Sequence, residues 1–362
     1  MKRIVCFHLY NDFSGSPIVL EMVLEGLLRK GFKVDLVTSD GGVLDKLIGM
    51  EGFRKHSYFY RFSNNPAVTM ARYAVVQLYT FFLALGWMFD KNVVFYINTL
   101  LPVGPALAGR IMGKRVVYHY HENAFAKGIF YKTLSWMMQR LAHEIICVSE
   151  YQASSLADRS KVRVVPNALP KAFCEKIKPD TERAFNQKNI LMLASLKAYK
   201  GTREFFELSA KLPEYSFTLV LNDSQKNINE YIKANRLDKT IGENLSIHPR
   251  QSDVAPFYNQ ASLLLNLSDK NRVIETFGMT VIEAMSAGLP VIVPTVGGVA
   301  EMVDDGENGY KIDSGEMDEI VRRIREMLTD KDVYTRMSHN AQARARLYDS
   351  EIMSEKIANT MQ

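Results

Sequence analysis

The sequence predicts an α/β protein of two Rossmann-like, doubly wound domains with a cleft between them. Three observations predict it. The chain has 362 residues, which at roughly 150 residues per domain makes two domains. Short runs rich in Val, Ile and aromatics, without strict alternation, recur between helical stretches, as parallel strands covered on both faces should. These runs fall into two series separated by a polar, charged stretch, so each series forms its own βαβ sheet.

The first series has strand runs at 3–9, 33–39, 93–99, 115–122, 144–149 and 162–166. Helices are expected between them, for example over 17–30, with Pro17 at a first helical position behind a Ser16 cap, and over 128–142. Segment 73–89, YAVVQLYTFFLALGWMF, is apolar and nearly long enough to span a bilayer, which takes about 20 residues. Gln77 and Thr80 interrupt it, and it sits between the turn Asn64-Asn65-Pro66 and the strand at 93, so it reads as a buried or membrane-touching helix. Residues 171–188, with prolines at 170 and 179, read as the linker. The second series runs through 189–195, 215–222, 245–249, 263–268, 291–294 and 309–312, and everything from about 331 reads as helix. The domains are therefore 1–170 and 189–346; the last helix, 347–362, goes with the first domain only by the family resemblance set out below. In such sheets ligands bind at the carboxyl ends of the strands, so the loops after strands are where chemistry is sought.

Composition narrows the class. The chain is 47% hydrophobic and 23% charged, which fits a folded protein and argues against long disorder. Forty-five basic against forty acidic residues give +5, too small a surplus for a dedicated nucleic-acid binder. It leaves room for anionic lipid or phosphorylated ligands. Cys6, Cys147 and Cys174 are odd in number and far apart, which implies no disulfide framework, no metal site and a reducing, cytoplasmic compartment. The opening MKRIVCFHLYNDFSGSP reads as a first strand rather than a signal peptide.

The most informative stretch is 268–301. A strand ends, Glu275 stands before a helix opened by Thr276-Phe277-Gly278, and Glu283 falls about five residues into it. Between the two carboxylates lie the N–H groups of a helix N-terminus, a natural phosphate site, and Gly278 lets the backbone approach closely. Carboxylates on either side of a phosphate cradle suit a nucleotide-sugar, with ribose, diphosphate and hexose in line. Gly297-Gly298 reads equally as a tight turn or a ligand contact. After the first strand of the second domain comes Ala194-Ser195-Leu196-Lys197-Ala198-Tyr199-Lys200-Gly201, where a lysine can neutralise a diphosphate. Arg250, in His248-Pro249-Arg250-Gln251, follows a strand and stacks on a base, pairs with a phosphate, or is a surface arginine. In the first domain, alternation puts His119 and His121 on one face of the strand ending in Glu122.

These motifs resemble glycosyltransferase family 4, retaining enzymes with the two-domain GT-B fold. The match is carried by Glu275-Thr276-Phe277-Gly278, by Glu283-Ala284-Met285-Ser286-Ala287-Gly288-Leu289-Pro290-Val291, by Gly297-Gly298 and by Asp305-Gly306-Glu307-Asn308-Gly309. Lys200-Gly201 also matches the family's Gly-Arg-Leu-x-x-x-Lys-Gly. Ser195 stands where the family has arginine, and Ala194 where it has glycine, so one of two expected phosphate cations is missing; Lys197 or Ser195 are the candidates to replace it. The resemblance covers nearly the whole chain and is closer in the second half.

The resemblance implies roles. Glu275 would hold hydroxyls of the transferred sugar and Glu283 the ribose. The N–H groups of Phe277, Gly278 and Met279 would contact sugar or phosphate, and Lys200 the diphosphate. Gly15, in the loop after the first strand, and His121, near the reaction centre, would touch the donor. No metal and no other cofactor is implied. The expected activity is transfer of a hexose from a nucleoside diphosphate sugar, a UDP-sugar first, to an acceptor glycan. A lipid-linked acceptor in surface polysaccharide assembly, with peripheral contact at the inner face of a membrane, is suggested by 73–89 with Arg61, Arg72 and Lys91 nearby. Rival readings are a GT-B epimerase or phosphorylase, and a non-catalytic sugar-nucleotide binding protein, which the Ser195 departure favours.

Overall fold

The computed structural model describes residues 2–124, 128–237 and 241–361. They divide into two compact units, 1–168 with 350–362, and 169–349. In the first unit the order is β1 (Arg3–Phe7), α1 (Gly15–Arg29), β2 (Lys33–Ser39), β3 (Phe53–Tyr58), α2 (Pro66–Ala84), β4 (Val93–Asn98), α3 (Val103–Ile111), β5 (Arg115–Tyr120), α4 (Ile129–Leu141), β6 (Glu144–Cys147), α5 (Glu150–Ser154) and β7 (Val162–Val164). The second holds α6 (Lys171–Cys174), α7 (Thr181–Gln187), β8 (Asn189–Ala194), α8 (Thr202–Lys211), β9 (Ser216–Leu221), α9 (Gln225–Ala234), β10 (Leu245–His248), α10 (Ala255–Asn259), β11 (Leu263–Leu265), α11 (Met279–Ser286), β12 (Val291–Val293), β13 (Gly309–Lys311), α12 (Met317–Thr329) and α13 (Lys331–Ala345). The chain then returns to the first unit as α14 (Ser350–Thr360).

Every strand pair is parallel, as the non-alternating apolar runs require. The first sheet has the order β3-β2-β1-β4-β5-β6-β7, the second β10-β9-β8-β11-β12-β13. Both are doubly wound, with the strand order reversing between β1 and β4 in one and between β8 and β11 in the other. One strand, β3, escapes the apolar-run reading. Its sequence FRKHSY is polar and charged between two aromatic ends, which suits a sheet edge that, among the described strands, pairs only with β2, where charge discourages further pairing.

Strand periodicity builds the first core. Ile4 and Cys6 point to the face covered by α1 and α14, with Leu20, Leu24, Met353 and Ile357. Val5 and Phe7 point to the opposite face, covered by α2, α3 and α4, with Ala84, Ala106 and Met138. Helices α1 and α14 pack closely: a Cβ on Gly26 would lie 2.2 Å from Ser354 Oγ. The second unit has one continuous core joining Met192, Leu219 and Leu264 of the sheet to Phe205, Met285, Ile324 and Met337 of its helices.

Two expectations need correction. The stretch 171–188 is no free linker: it forms α6 and α7 inside the second unit. Ile177 and Ala184 are buried in that core, and Phe173 and Phe185 set their rings edge-on or tilted against Tyr258 and Tyr334, at 5.7 and 5.3 Å. Its few apolar residues are spaced to face the core from two short helices, which the polar average conceals. Helix α1 also starts earlier than read. Ser14 is its N-cap residue, so Pro17 is the third helical residue, where a missing N–H still costs nothing. Asp12 Oδ1 accepts from Ser14 N and Oγ and shapes the entry.

Candidate functional site

In the second unit the reversal of strand order puts the loops after β8 and β11 side by side, which is where open α/β sheets bind ligands. The β8 loop passes Ser195 and Lys197, tightens into a single turn over Ala198–Lys200, and ends at Gly201 with φ +77°. A Cβ at Gly201 would lie 2.3 Å from the carbonyl oxygen of Leu267, so glycine is what lets the two loops touch. That contact delivers Lys200 Nζ to 2.6 Å from Glu275 Oε1. Ser268 Oγ donates to the same oxygen, and Asn266 Nδ2 approaches it at 3.4 Å. None of the three uses Oε2. The Glu275 carbonyl meanwhile accepts the Gly298 N–H at 2.8 Å. Gly297, at φ +102°, lies so near that a Cβ there would be 2.7 Å from that carbonyl. Loops after β8, β11 and β12 thus fix one glutamate through both side chain and backbone, which gives Gly297-Gly298 a structural reason.

Helix α11 begins at Met279, three residues later than the sequence suggested. Gly278 has non-helical φ/ψ (−120°, 82°), and Thr276 and Phe277 lie ahead of the helix. Val281 and Ile282 both donate to the Gly278 carbonyl, while the first-turn N–H groups of Met279 and Thr280 have no intrahelical acceptor. Glu283 is the fifth residue of α11, and its Oε2 accepts the Tyr258 hydroxyl at 2.5 Å. Burial pushes the Glu283 carboxyl up from its ordinary value, and the Tyr258 hydrogen bond opposes the rise. Tyr258, on α10, is wholly buried. Phe277 packs edge-on to Tyr348 at 5.9 Å.

The remaining candidates of this unit are more open. Lys197 is exposed, its ammonium 5.9 Å from the Tyr199 ring centroid, and Lys200 Nζ is 5.8 Å from the same ring. The Ser195 carbonyl accepts the Lys197 N–H. Arg250 is exposed, and its Nε donates to Asn222 Oδ1 at 2.7 Å, which ties the loop after β10 to that after β9. Beyond them, Lys270 Nζ reaches Asp313 and, at 3.1 Å, Thr295 Oγ1. Asp305-Gly306-Glu307-Asn308-Gly309 is a stapled turn, with buried Asn308 bonding Asp304 N and Met302 O.

In the first unit the reversal lies between β1 and β4. There Asn98, at the end of β4, joins two histidines. Its Oδ1 accepts from His121 Nε2 at 3.0 Å, and its Nδ2 donates to His8 Nδ1 at 3.0 Å. One amide so fixes both tautomers: His121 carries its proton on Nε2, and His8 accepts on Nδ1. The rings of His119 and His121 lie 4.1 Å apart on the same face, as alternation required, and His119 Nδ1 meets the Tyr96 hydroxyl at 2.6 Å. Burial holds His8 down at about 4 and His119 at about 3. His121 is held well below its usual range by burial and by its two histidine neighbours. All three rings are neutral near pH 7. Glu122 accepts the Leu100 N–H at 3.1 Å, and Thr99 sits at φ +74°, a strained conformation for a β-branched residue. Gly15 is the first residue of α1, exposed, without positive φ and with open space around its Cβ position, so nothing in its own unit demands glycine.

Sequence reasoning missed Asn266, Ser268, Tyr258, His8 and Asn98. For four of them a signal exists: a polar residue ending an apolar strand run, as in RIVCFHL, LLLNLS and VVFYIN, at a reversal of strand order. Tyr258 has none, because its partner is 25 residues away on another helix. Among the described residues no three His, Cys, Asp or Glu side chains converge as a metal site.

Comparison with known proteins bears on the family and the fold. A family model described as "Glycosyl transferases group 1" matches residues 174–344, and one described as "Glycosyltransferase Family 4" matches 13–172. The chain is 23% identical to an uncharacterized glycosyltransferase of Haemophilus influenzae, over 98% of this chain and 99% of that one. It is likewise 23% identical to the capsular polysaccharide biosynthesis glycosyltransferase CapM of Staphylococcus aureus, over 99% and 96%. Among solved structures, Anabaena HepE in complex with UDP and glucose superimposes with a TM-score of 0.77 at 18% identity, covering 100% of this chain and 99% of that one. That likeness shows the fold, GT-B.

Proposed function

The chain belongs to the group 1, family 4 glycosyltransferases, and from that membership we propose that it moves a hexose from a nucleoside diphosphate sugar to a hydroxyl of a lipid-linked acceptor glycan, with retention of configuration. The observation that carries the reading is the Lys200–Glu275 pair at the strand-order reversal, beside the N-terminus of α11. Glu275 Oε1 is occupied by lysine, serine and asparagine, and Oε2 is directed to hydroxyls of the transferred sugar. Fixing that carboxylate beforehand orients the sugar and stabilises positive charge that develops at its ring.

The Lys200 ammonium has three hydrogens, of which Glu275 takes one. The others serve the diphosphate, with Lys197, Ser195 and Arg250 in the adjoining loops and the N–H groups of Phe277, Gly278 and Met279 as further donors. These cations and dipoles stabilise the leaving diphosphate without a metal. Glu283, oriented by Tyr258, takes the ribose. In the first unit neutral His121, aimed by Asn98, offers hydrogen-bonding capacity to the donor sugar, and the Gly15 loop touches donor or acceptor. No side chain is assigned as base: the leaving phosphate receives the acceptor proton on the same face.

UDP is the preferred nucleotide, a choice supported by the UDP bound in Anabaena HepE. Surface polysaccharide assembly is supported by the likeness to CapM. Such an acceptor places the enzyme in the cytoplasm, at the inner face of a membrane. Thermal-shift screening against UDP-, GDP-, ADP- and CDP-sugars tests the donor, because a ligand that binds only the native state raises the midpoint. NMR of the product tests the anomeric outcome. Failure of every nucleotide-sugar to shift the midpoint sinks the reading, and an inverted product sinks its mechanism.

A further inference from the structure

Helix α2 is mostly apolar, yet its own unit covers only one side of it. Val76, Thr80 and Ala84 are buried, the Tyr73 hydroxyl donates to Leu101 O at 2.7 Å, and Gln77 Oε1 accepts the Gly104 N–H at 2.9 Å. On the other side Val75, Leu78, Tyr79 and Phe82 are 65, 62, 46 and 65% exposed. At 3.6 residues per turn these four share an arc of about 100°, opposite the buried stripe. The stripe does not stand alone. Helices α3 and α4 lie in the same layer over one sheet face, and Tyr73 of α2 meets Phe130 of α4 at 5.7 Å. Ile129 and Trp136 of α4 are 79 and 57% exposed.

Charge says what covers this surface. Segments 59–89, 101–114 and 128–143 contain no Asp or Glu. They present Arg61, Arg72, Arg110, Lys132 and Arg140 at the surface, the last with its guanidinium 5.2 Å from the Trp136 ring centroid. A second copy of the chain laid symmetrically on this patch would bring like charges together. An apolar, aromatic surface rimmed by cations complements an anionic bilayer, where side chains enter the acyl boundary and guanidinium groups meet headgroup phosphates. Although α2 with its following turn is long and apolar enough to cross a bilayer, its buried side and its bonds to residues 101–104 hold it against the unit, so it lies along the membrane.

We propose that the outer face of α2, α3 and α4 docks the enzyme flat on an anionic lipid bilayer. This deepens the reading of a lipid-linked acceptor and rests on it only for its purpose: the acceptor would be met at the surface where the enzyme already sits.

The test is flotation of the full chain with phosphatidylcholine vesicles, with and without phosphatidylglycerol, at low and high salt. Binding is expected only with phosphatidylglycerol, and weaker at high salt. Leu78→Ser with Phe82→Ser should weaken partition about a hundredfold, and Arg72→Gln or Arg140→Gln about fivefold each. All these variants should keep the wild-type thermal midpoint and nucleotide-sugar shift, because the changed side chains are exposed or half-exposed. No flotation, or flotation that the variants do not reduce, overturns the proposal. So does sedimentation as a dimer that Leu78→Ser with Phe82→Ser dissolves. Flotation without sugar transfer leaves the docking surface standing and counts against the catalytic reading alone.

Discussion

The Lys200 ammonium lies 2.6 Å from Glu275 Oε1, joining loops that follow two adjacent strands although the residues are 75 positions apart. Their side chains are 23 and 15% exposed, so the pair is neither a screened surface bridge nor a fully buried one. Lys200→Met strands a mostly covered carboxylate, at a cost of about 1–2 kcal/mol, less than the roughly 3–5 of a fully buried pair. Glu275→Ala should lower turnover by about a hundredfold or more while shifting the thermal midpoint by only a few degrees. A double-mutant cycle on stability should return a coupling of about 1 kcal/mol. Wild-type turnover in the Glu275→Ala enzyme would remove the residue from the mechanism.

Three glycines separate structural need from ligand contact. Gly201→Ala and Gly297→Ala force a Cβ against the carbonyls of Leu267 and Glu275 at positive φ. Each should destabilise by about 2 kcal/mol or more, read as a lowered midpoint. Gly15→Ala meets open space and gains helix propensity, so its midpoint should hold or rise. If Gly15 contacts substrate, that variant raises KM for the donor or acceptor at unchanged stability. Unchanged kinetics would leave Gly15 as a turn residue.

Tyr258→Phe should alter the pH dependence through Glu283. Burial already raises that carboxyl above its unfolded value of about 4.5, so the native state binds more protons than the unfolded one across the window just above it. In that window stability falls as pH rises, and the loss is complete above the folded value. Removing the hydroxyl that favours the carboxylate widens the window upward. Midpoints of wild type and Tyr258→Phe should nearly agree at the acid end and diverge with rising pH, to about 1–2 kcal/mol. A difference independent of pH would show that the hydroxyl does not act on Glu283.

The buried histidines set the acid limit. His8 near 4 and His119 near 3 lie below the unfolded value of about 6.5, so the unfolded state binds more protons between those limits. Stability is full above about pH 6.5 and is lost as pH falls toward 4. His119→Gln removes one titrating ring and should flatten that slope in a series of thermal melts. A slope unchanged by the substitution would place the acid sensitivity elsewhere.

Much of this was legible before any coordinates. The apolar runs located twelve of the thirteen described strands, and Glu275-Thr276-Phe277-Gly278 with Glu283 marked the loop and helix where the second sheet reverses. Local signals carry such features, since strand runs and glycine turns are properties of neighbouring residues. The packing of 171–188, the late start of α11 and the edge strand β3 were not legible. Each depends on what lies opposite: a core for Phe173 and Ile177, a close approach for Gly278, an unpaired edge for FRKHSY.

By itself, then, the sequence determined two parallel sheets, the loops that carry the chemistry, and one carboxylate ahead of a helix with a second upon it. Only the tertiary structure decided that Lys200 grips Glu275, that Tyr258 aims Glu283, that Asn98 sets the tautomers of His8 and His121, and that one side of α2 stays uncovered. The physical reason is that periodicity fixes which face a residue occupies, whereas the partner it meets there depends on strand order, and strand order is set by crossovers that leave no mark on either residue's neighbours.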